Sequence, residues 1–307
     1  MIILIVGLGS IGKKHLDALH KLKVNGKVYA LRSTLNNPIE EGVENVYSLE
    51  DVKEKIDFAI ISNPTNKHFD YINLLAKRSI PLFIEKPSVD ALDGVEDLLR
   101  LIEEKKIITY VACNLRFHPC IAYLKEIIRK KVLRVNEVSV YCGSYLPNWR
   151  PNRNFREVYS ANKSMGGGVH LDLIHEIDYT TWIFGFPFQY TSILRNVSSL
   201  NIDAIDYANF NLQYDSFTVN INLNYFRRDT KRQIEIVHEN GTIITDLIKN
   251  EIQNEKDDII FKDPEYSSID SYTAQLDYFM NCLRHDIQPM NSFAESVENL
   301  KICLQNE

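Results

Sequence analysis

The chain reads as an α/β protein: a doubly wound parallel sheet of Rossmann type, followed by an α+β region built on a large, mainly antiparallel open sheet. Two observations give the first half. Short apolar runs alternate with amphipathic stretches from residue 1 to about 119, and Gly7-Leu8-Gly9-Ser10-Ile11-Gly12 follows the first such run directly. A third observation gives the second half. Over 136–143 and 189–261 apolar and polar residues alternate singly, as in Phe217-Thr218-Val219-Asn220-Ile221-Asn222-Leu223, the period of strands with one face covered and one exposed.

The apolar runs place parallel strands over 2–6, 28–31, 58–62, 82–84 and 108–112, with helices over 11–22, 66–77 and 90–105 between them. Right-handed crossovers then wind helices onto both faces of the sheet. Later helices are expected near 121–131, 168–184 and 271–285. At 307 residues the chain exceeds the usual span of one hydrophobic core. The change of texture divides it into a dinucleotide-binding domain, 1–119, and a substrate-binding and oligomerisation domain, 120–307.

Composition narrows the function classes. A net charge of -6 gives no electrostatic reason to bind nucleic acid or an anionic membrane. The opening run Met1-Ile2-Ile3-Leu4-Ile5-Val6-Gly7 lacks a basic leader and enters a glycine turn at once, so it reads as a strand and not as a secretory signal. No stretch reaches the roughly 18–20 apolar residues that span a bilayer. The five cysteines (Cys113, Cys120, Cys142, Cys282 and Cys303) contain no C-x-x-C pair, which suits reduced thiols in the cytoplasm.

Gly7-Leu8-Gly9-Ser10-Ile11-Gly12 matches G-x-G-x-x-G between a strand and a helix. The first glycine permits the tight turn, the second lets backbone approach a pyrophosphate, and the third permits close packing of helix on strand. The helix N-terminus adds amide donors and the positive end of its dipole. At the end of the second strand, where a carboxylate would accept from a ribose 2′-hydroxyl, the chain carries Arg32-Ser33-Thr34. An arginine there pairs with a 2′-phosphate instead, so the cofactor expected is NADP ahead of NAD.

Three further segments, with this loop, resemble the Gfo/Idh/MocA family of oxidoreductases. Asn63-Pro64-Thr65-Asn66-Lys67-His68 is similar to the family's turn after the third strand, and the resemblance implies that Asn63, Pro64 and His68 lie at the cofactor. Glu85-Lys86-Pro87 is similar to its E-K-P signature, which implies that Lys86 binds the substrate oxygen with Glu85 orienting it. Met165-Gly166-Gly167-Gly168-Val169-His170-Leu171-Asp172-Leu173-Ile174-His175-Glu176-Ile177-Asp178 resembles its glycine-rich loop and catalytic helix, and Asn114-Leu115-Arg116-Phe117-His118-Pro119 resembles a further family segment at the domain junction.

Chemistry supports the same residues. A lysine at the carboxyl end of a parallel strand faces the crevice where such sheets bind ligands, and its ammonium can stabilise a developing alkoxide. Counted at 100° per residue on one helix, Leu173, Ile174, Ile177, Thr181 and Phe184 share one side, and Asp172, His175, Glu176 and Tyr179 the other. His175 is the general acid/base by residue type, Asp172 the residue that orients it or the substrate, and Glu176 the alternative acid/base. Entry through Gly166-Gly167-Gly168 suggests close approach of backbone to a ligand. His170 is expected to be structural, and no metal site is expected from this spacing.

Between these segments, Tyr145 to Arg156 interleaves aromatic residues and arginines. Trp149, Arg150 and Arg153, with Asn114, Arg116, Lys86, Asp172, His175 and Glu176, are the substrate-binding candidates, suited to a ring bearing acidic groups. An alternative is a loop that packs over the glycine turn. The resemblance implies hydride transfer between nicotinamide and a hydroxyl or carbonyl of a sugar, sugar nucleotide or cyclitol, in a homodimer or homotetramer. It also admits a cofactor-retaining hydrolase or epimerase, and the fold alone admits a non-enzymatic dinucleotide sensor.

Overall fold

Ile3, Leu4 and Ile5, like the whole of Phe58 to Ile61, have no solvent-exposed surface, as befits strands covered on both faces, whose residues need not alternate. In the computed structural model, which describes residues 1–35 and 40–304, these runs form the centre of a six-stranded parallel sheet. The elements of its first stretch are β1 (Ile2–Val6), α1 (Ser10–Lys21), β2 (Lys27–Leu31), β3 (Val43–Val46), β4 (Phe58–Ile61), α2 (His68–Lys77), β5 (Leu82–Ile84), α3 (Val95–Glu104) and β6 (Thr109–Val111). The strand order is β3-β2-β1-β4-β5-β6, so the order reverses between β1 and β4, the switch point where such sheets bind ligands.

The chain continues through α4 (Pro119–Arg129), β7 (Val135–Tyr145), α5 (Val169–Asp172) and α6 (His175–Phe184). Then come β8 (Gln189–Arg195), β9 (Tyr207–Gln213), β10 (Thr218–Asn224), β11 (Phe226–His238), β12 (Gly241–Asp246), β13 (Glu251–Asn254) and β14 (Ile259–Lys262). Two helices close it, α7 (Ser268–His285) and α8 (Phe293–Cys303). The later strands form one eight-stranded sheet in the order β14-β13-β12-β11-β7-β10-β9-β8. All its pairs are antiparallel except β7 with β10.

The alternation expected of this sheet is plain on β9 and β10. Ala208, Phe210, Leu212, Val219, Ile221 and Leu223 are wholly buried, each large side chain contributing about 1.5–3 kcal/mol. Their neighbours face the other way, where the Asn209 amide donates to Asn220 at 3.2 Å and the Asn220 amide to Asn211 at 3.2 Å, cross-strand pairs that fix the register.

The chain forms two compact units. One compact unit comprises Met1–Asn114 together with Ser268–Val297, the other Leu115–Ser267 with the C-terminal residues from Glu298 on. Helix α7 lies in the first unit and packs on α1, and Phe279 sets its ring edge-on to Phe58 and Phe83 at 5.4 and 5.5 Å. A helix's own period does not say which sheet it covers. Two elements escaped the sequence reading, the edge strand β3 and helix α8. The expected helix over 90–105 starts only at Val95, behind Gly94 at φ +72°. The single helix expected over 168–184 is broken at Leu173 and Ile174 into α5 and α6. Among the described residues no helix is long and apolar enough to cross a membrane, and all five cysteines are buried thiols outside any disulfide.

Candidate active site

In the first unit the parallel register lines up Leu31, Val6, Ile61, Ile84 and Val111 across β2, β1, β4, β5 and β6. The next residue of each strand therefore emerges at one edge of the sheet: Arg32, Gly7, Ser62, Glu85 and Ala112. Gly7 has φ +82°, and a Cβ there would lie 2.7 Å from the Asn63 backbone; a Cβ on Gly12 would lie 2.5 Å from the Gly7 carbonyl. Ser62 adds its hydroxyl, donating to that carbonyl at 2.7 Å. Gly9 differs. A Cβ built on it meets nothing within 4 Å, and Gly9 caps α1 with no side-chain bond to the helix end.

Two of these three glycines are thus required by the protein's own packing, while the second leaves bare backbone at a helix N-terminus open to the approach of an anion. The residues fit a dinucleotide diphosphate. We expect Gly9→Ala to leave the thermal unfolding midpoint nearly unchanged and to weaken dinucleotide binding roughly tenfold or more, while Gly7→Ala costs about 1–3 kcal/mol of stability through its strained φ. Equal dinucleotide affinity in Gly9→Ala and the parent, measured by titration, would contradict this reading of the turn.

Asn63 follows at the same edge, with both polar atoms of its side-chain amide bonded to nothing among the described residues. Pro64 is exposed at the start of a short 3-10 turn, Thr65–Lys67. Ser33 and Thr34 are exposed beyond β2, and Arg32 is half-buried. His68 departs from expectation: its ring is buried, with Nδ1 3.0 Å from the Pro87 carbonyl and Nε2 2.9 Å from the Asn63 carbonyl. Its two ring nitrogens face backbone carbonyls of both turns, to one of which the neutral ring donates, so His68 packs the two turns together, and burial lowers its pKa. Glu85 has a second partner beside Lys86. One of its carboxylate oxygens lies 2.6 Å from His15 Nε2 on α1, and the other accepts the backbone N–H of Lys86 at 3.2 Å. Lys86 itself is half-buried. Asn114 donates its amide to Ser271 at 2.8 Å.

In the second unit, the break between α5 and α6 undoes the single-helix wheel. Asp172, Glu176, Asp178 and Tyr179 are buried, and His175 alone of the expected polar face is part-exposed, at the first turn of α6. Asp172 accepts the Tyr225 hydroxyl at 2.5 Å, and burial beside that carboxylate raises the pKa of both Tyr225 and Tyr159. Glu176 has no exposed surface and accepts from the Arg232 guanidinium at 2.6 Å. That ion pair ties Glu176 to β11.

Arg116 is buried in the same way. Its guanidinium is buried and grips Asp178 with two hydrogen bonds, 2.9 and 2.7 Å, beside the Trp182 ring. It holds α6 to the segment ahead of α4 and offers no exposed surface to a substrate. His170 is buried, with its pKa lowered to about 4 by burial. Its ring occupies the place where a Cβ on Gly168 would stand, at 2.5 Å.

The glycine triplet likewise serves packing. A Cβ on Gly167 would stand 2.0 Å from the Tyr159 carbonyl, and the Gly167 N–H donates to the Asn162 carbonyl at 3.0 Å. The turn at 159–162 thus packs on the triplet, whose openness was expected to admit a ligand. Ahead of that turn Trp149, Arg150 and Arg153 are exposed. Trp149 donates to Ser144 at 2.8 Å and meets Tyr225 edge-on at 5.3 Å, and Arg150 lies over Tyr159. The loop therefore rests on the two tyrosines that flank Asp172. Among the described residues no group of three His, Cys, Asp or Glu stands close enough to hold a metal ion.

His15, Tyr225 and Arg232 were not singled out by sequence. For His15 a signal existed: it sits on the inward stripe of α1 with Gly12, Leu16 and Leu19, where an imidazole needs a partner.

Residues 1–113 match the family model described as an oxidoreductase family with an NAD-binding Rossmann fold, and residues 130–303 match its companion, described as the C-terminal alpha/beta domain of an oxidoreductase family. Among curated relatives, the rhizopine catabolism protein MocA of Rhizobium meliloti is 24% identical over 188 residues, 59% of this chain and 56% of that protein. The scyllo-inositol 2-dehydrogenase (NADP(+)) of Bacillus subtilis is 26% identical over 176 residues, 56% of this chain and 47% of that protein. The match spans about half the length of each relative. Among solved structures, the UDP-N-acetylglucosamine 3-dehydrogenase from Acidithiobacillus ferrooxidans superimposes with a TM-score of 0.78 at 16% identity, covering 99% of this chain and 96% of its own. At that identity the likeness speaks for the fold.

Proposed function

Because this chain belongs to the Gfo/Idh/MocA family of oxidoreductases, we propose that it is an NAD(P)-dependent dehydrogenase or reductase acting on a hydroxyl or carbonyl of a sugar, sugar nucleotide or cyclitol. The observation that carries this reading is the row at the sheet edge, where the glycine turn, Asn63 and Glu85-Lys86 follow three adjacent parallel strands in register. Names among the relatives support the substrate range, with an inositol dehydrogenase and a UDP-sugar dehydrogenase.

The turn at Gly7, Gly9 and Gly12, with the first amides of α1 at Ser10 and Ile11, would hold the diphosphate, and the Asn63 amide would bind near the nicotinamide end beside Pro64. Nicotinamide, when bound, supplies the hydride acceptor or donor. Arg32, with Ser33 and Thr34, favours a 2′-phosphate and hence NADP over NAD, in keeping with the NADP(+) in the name of the Bacillus subtilis relative.

Lys86 donates a hydrogen bond to the reacting oxygen and stabilises the charge that develops on it. His175 takes the hydroxyl proton in oxidation and returns it in reduction. Asp172, fixed by Tyr225 and Tyr159, orients the substrate or the imidazole. Asn114, Trp149, Arg150 and Arg153 are the remaining substrate contacts we assign. The protein is proposed to be cytoplasmic and to assemble as a homodimer or homotetramer, which a sedimentation mass checks.

Lys86→Ala is expected to lower kcat by about 10²–10³-fold, the usual loss for a group that stabilises an oxyanion, while dinucleotide affinity stays close to that of the parent. Steady-state kinetics together with a dinucleotide titration check this, and a Lys86→Ala enzyme of parental kcat would overturn the role given to Lys86.

A further inference from the structure

We infer that His15, on the cofactor-side helix α1, is a positioning residue for Lys86, acting through Glu85. The inference rests on the reading of Lys86 as the group that meets the reacting oxygen. His15 has no exposed surface and Glu85 is 9% exposed, so their 2.6 Å contact is shielded from water. A carboxylate can only accept, so His15 Nε2 carries the proton and donates. The second Glu85 oxygen accepts the N–H of Lys86. One carboxylate therefore bridges α1 to the first backbone atom of the residue that carries the amine.

The ring has little freedom to do anything else. Phe83 meets it edge-on at 5.0 Å and Tyr272, on α7, at 5.7 Å, and Nδ1 is buried with no hydrogen-bond partner among the described residues. A histidine kept for packing alone would leave both nitrogens to find partners, whereas here one donor is spent on one carboxylate. On the far side of Lys86, the Pro87 carbonyl meets the buried His68 ring. Lys86 thus stands between two anchored neighbours, and the His15 anchor is a charge-assisted hydrogen bond, stronger than a neutral one. Removing its donor strands a buried carboxylate, which then turns to other partners and takes the Lys86 backbone with it.

The test compares five variants of the full-length enzyme by thermal unfolding, dinucleotide titration and steady-state kinetics. His15→Phe keeps a ring between Phe83 and Tyr272 and deletes the donor. We expect it to hold dinucleotide affinity within about threefold and to lower kcat about 10- to 100-fold, the worth of a hydrogen bond to a charged group. His15→Gln, whose amide Nε2 reaches the same place, is expected to regain most of that loss. His15→Phe combined with Glu85→Gln is expected to be no slower than the slower of His15→Phe and Glu85→Gln alone, as for two residues acting as one unit. Lys86→Ala is the control. If Lys86→Ala loses turnover and His15→Phe does not, the positioning role is wrong and the function of Lys86 stands. If Lys86→Ala turns over normally, the parent reading fails first. Equal losses in His15→Phe and His15→Gln, tracking their unfolding midpoints, would show that the ring only packs and would overturn the inference.

Discussion

Replacing Arg116 by methionine is expected to destabilise the protein by about 3–5 kcal/mol, the loss that follows when one member of a buried ion pair is removed and its partner stays charged. The pair is closed to solvent on both sides, with side-chain exposures of 0% and 1%. Asp178 also accepts the Asn299 amide at 3.2 Å, itself held by Thr181 at 2.7 Å, a neutral donor that does not replace the guanidinium charge. Methionine retains the volume beside Trp182, so the loss isolates charge from packing. Asp178→Leu alone should be as damaging, since it strands the guanidinium. The two substitutions together should recover most of the stability, because an apolar pair of similar size replaces a buried ion pair at little cost. Chemical unfolding of the three variants checks this, and additive losses in the double variant would contradict it.

His175→Ala is expected to lower kcat by about 10²–10⁴-fold, the range for loss of a general acid/base, and added imidazole should restore part of the rate. The structure separates this residue from Glu176, its neighbour and rival in the sequence. His175 is part-exposed at the start of α6, whereas Glu176 is wholly buried on Arg232. Glu176→Gln should therefore be read in the unfolding midpoint, through weakening of the bond to Arg232, with imidazole without effect on its rate. A His175→Ala enzyme at parental kcat would remove His175 from the chemistry.

Much of the first unit was legible because a doubly covered parallel strand must be a continuous apolar run, and each run here ends in a turn with its own signature: Gly7 to Gly12, Asn63-Pro64, Glu85-Lys86-Pro87. The edge strand β3, Val-Glu-Asn-Val, buries only Val46 fully, so it lacked that run. The second unit gave up its sheet through alternation, but its polar core was hidden. Arg116 and Asp178, 62 residues apart, and Glu176 and Arg232, 56 apart, satisfy one another across elements, and a charged residue's sequence neighbours do not reveal a partner that distant.

The helix wheel failed for a local reason. The break at Leu173 and Ile174 resets the 100° count, and the glycine triplet that was expected to admit a ligand receives the chain's own turn at 159–162. His68 and Glu85 were placed at the proper edge, and the further partners they take, the Pro87 carbonyl and His15, are groups that only the folded sheet brings near.

The claim on which all of this turns is net hydride transfer. It is tested most directly by following nicotinamide absorbance and substrate consumption together, with purified protein, either dinucleotide, and a panel of sugars, cyclitols and nucleotide-linked sugars. The expected result is one dinucleotide reduced for each hydroxyl oxidised, or the reverse, with the turnover lost in Lys86→Ala. Substrate turned over with no net change in the dinucleotide would point to a cofactor-retaining hydrolase or epimerase, and tight dinucleotide binding with no substrate consumed to a sensor; either would contradict it.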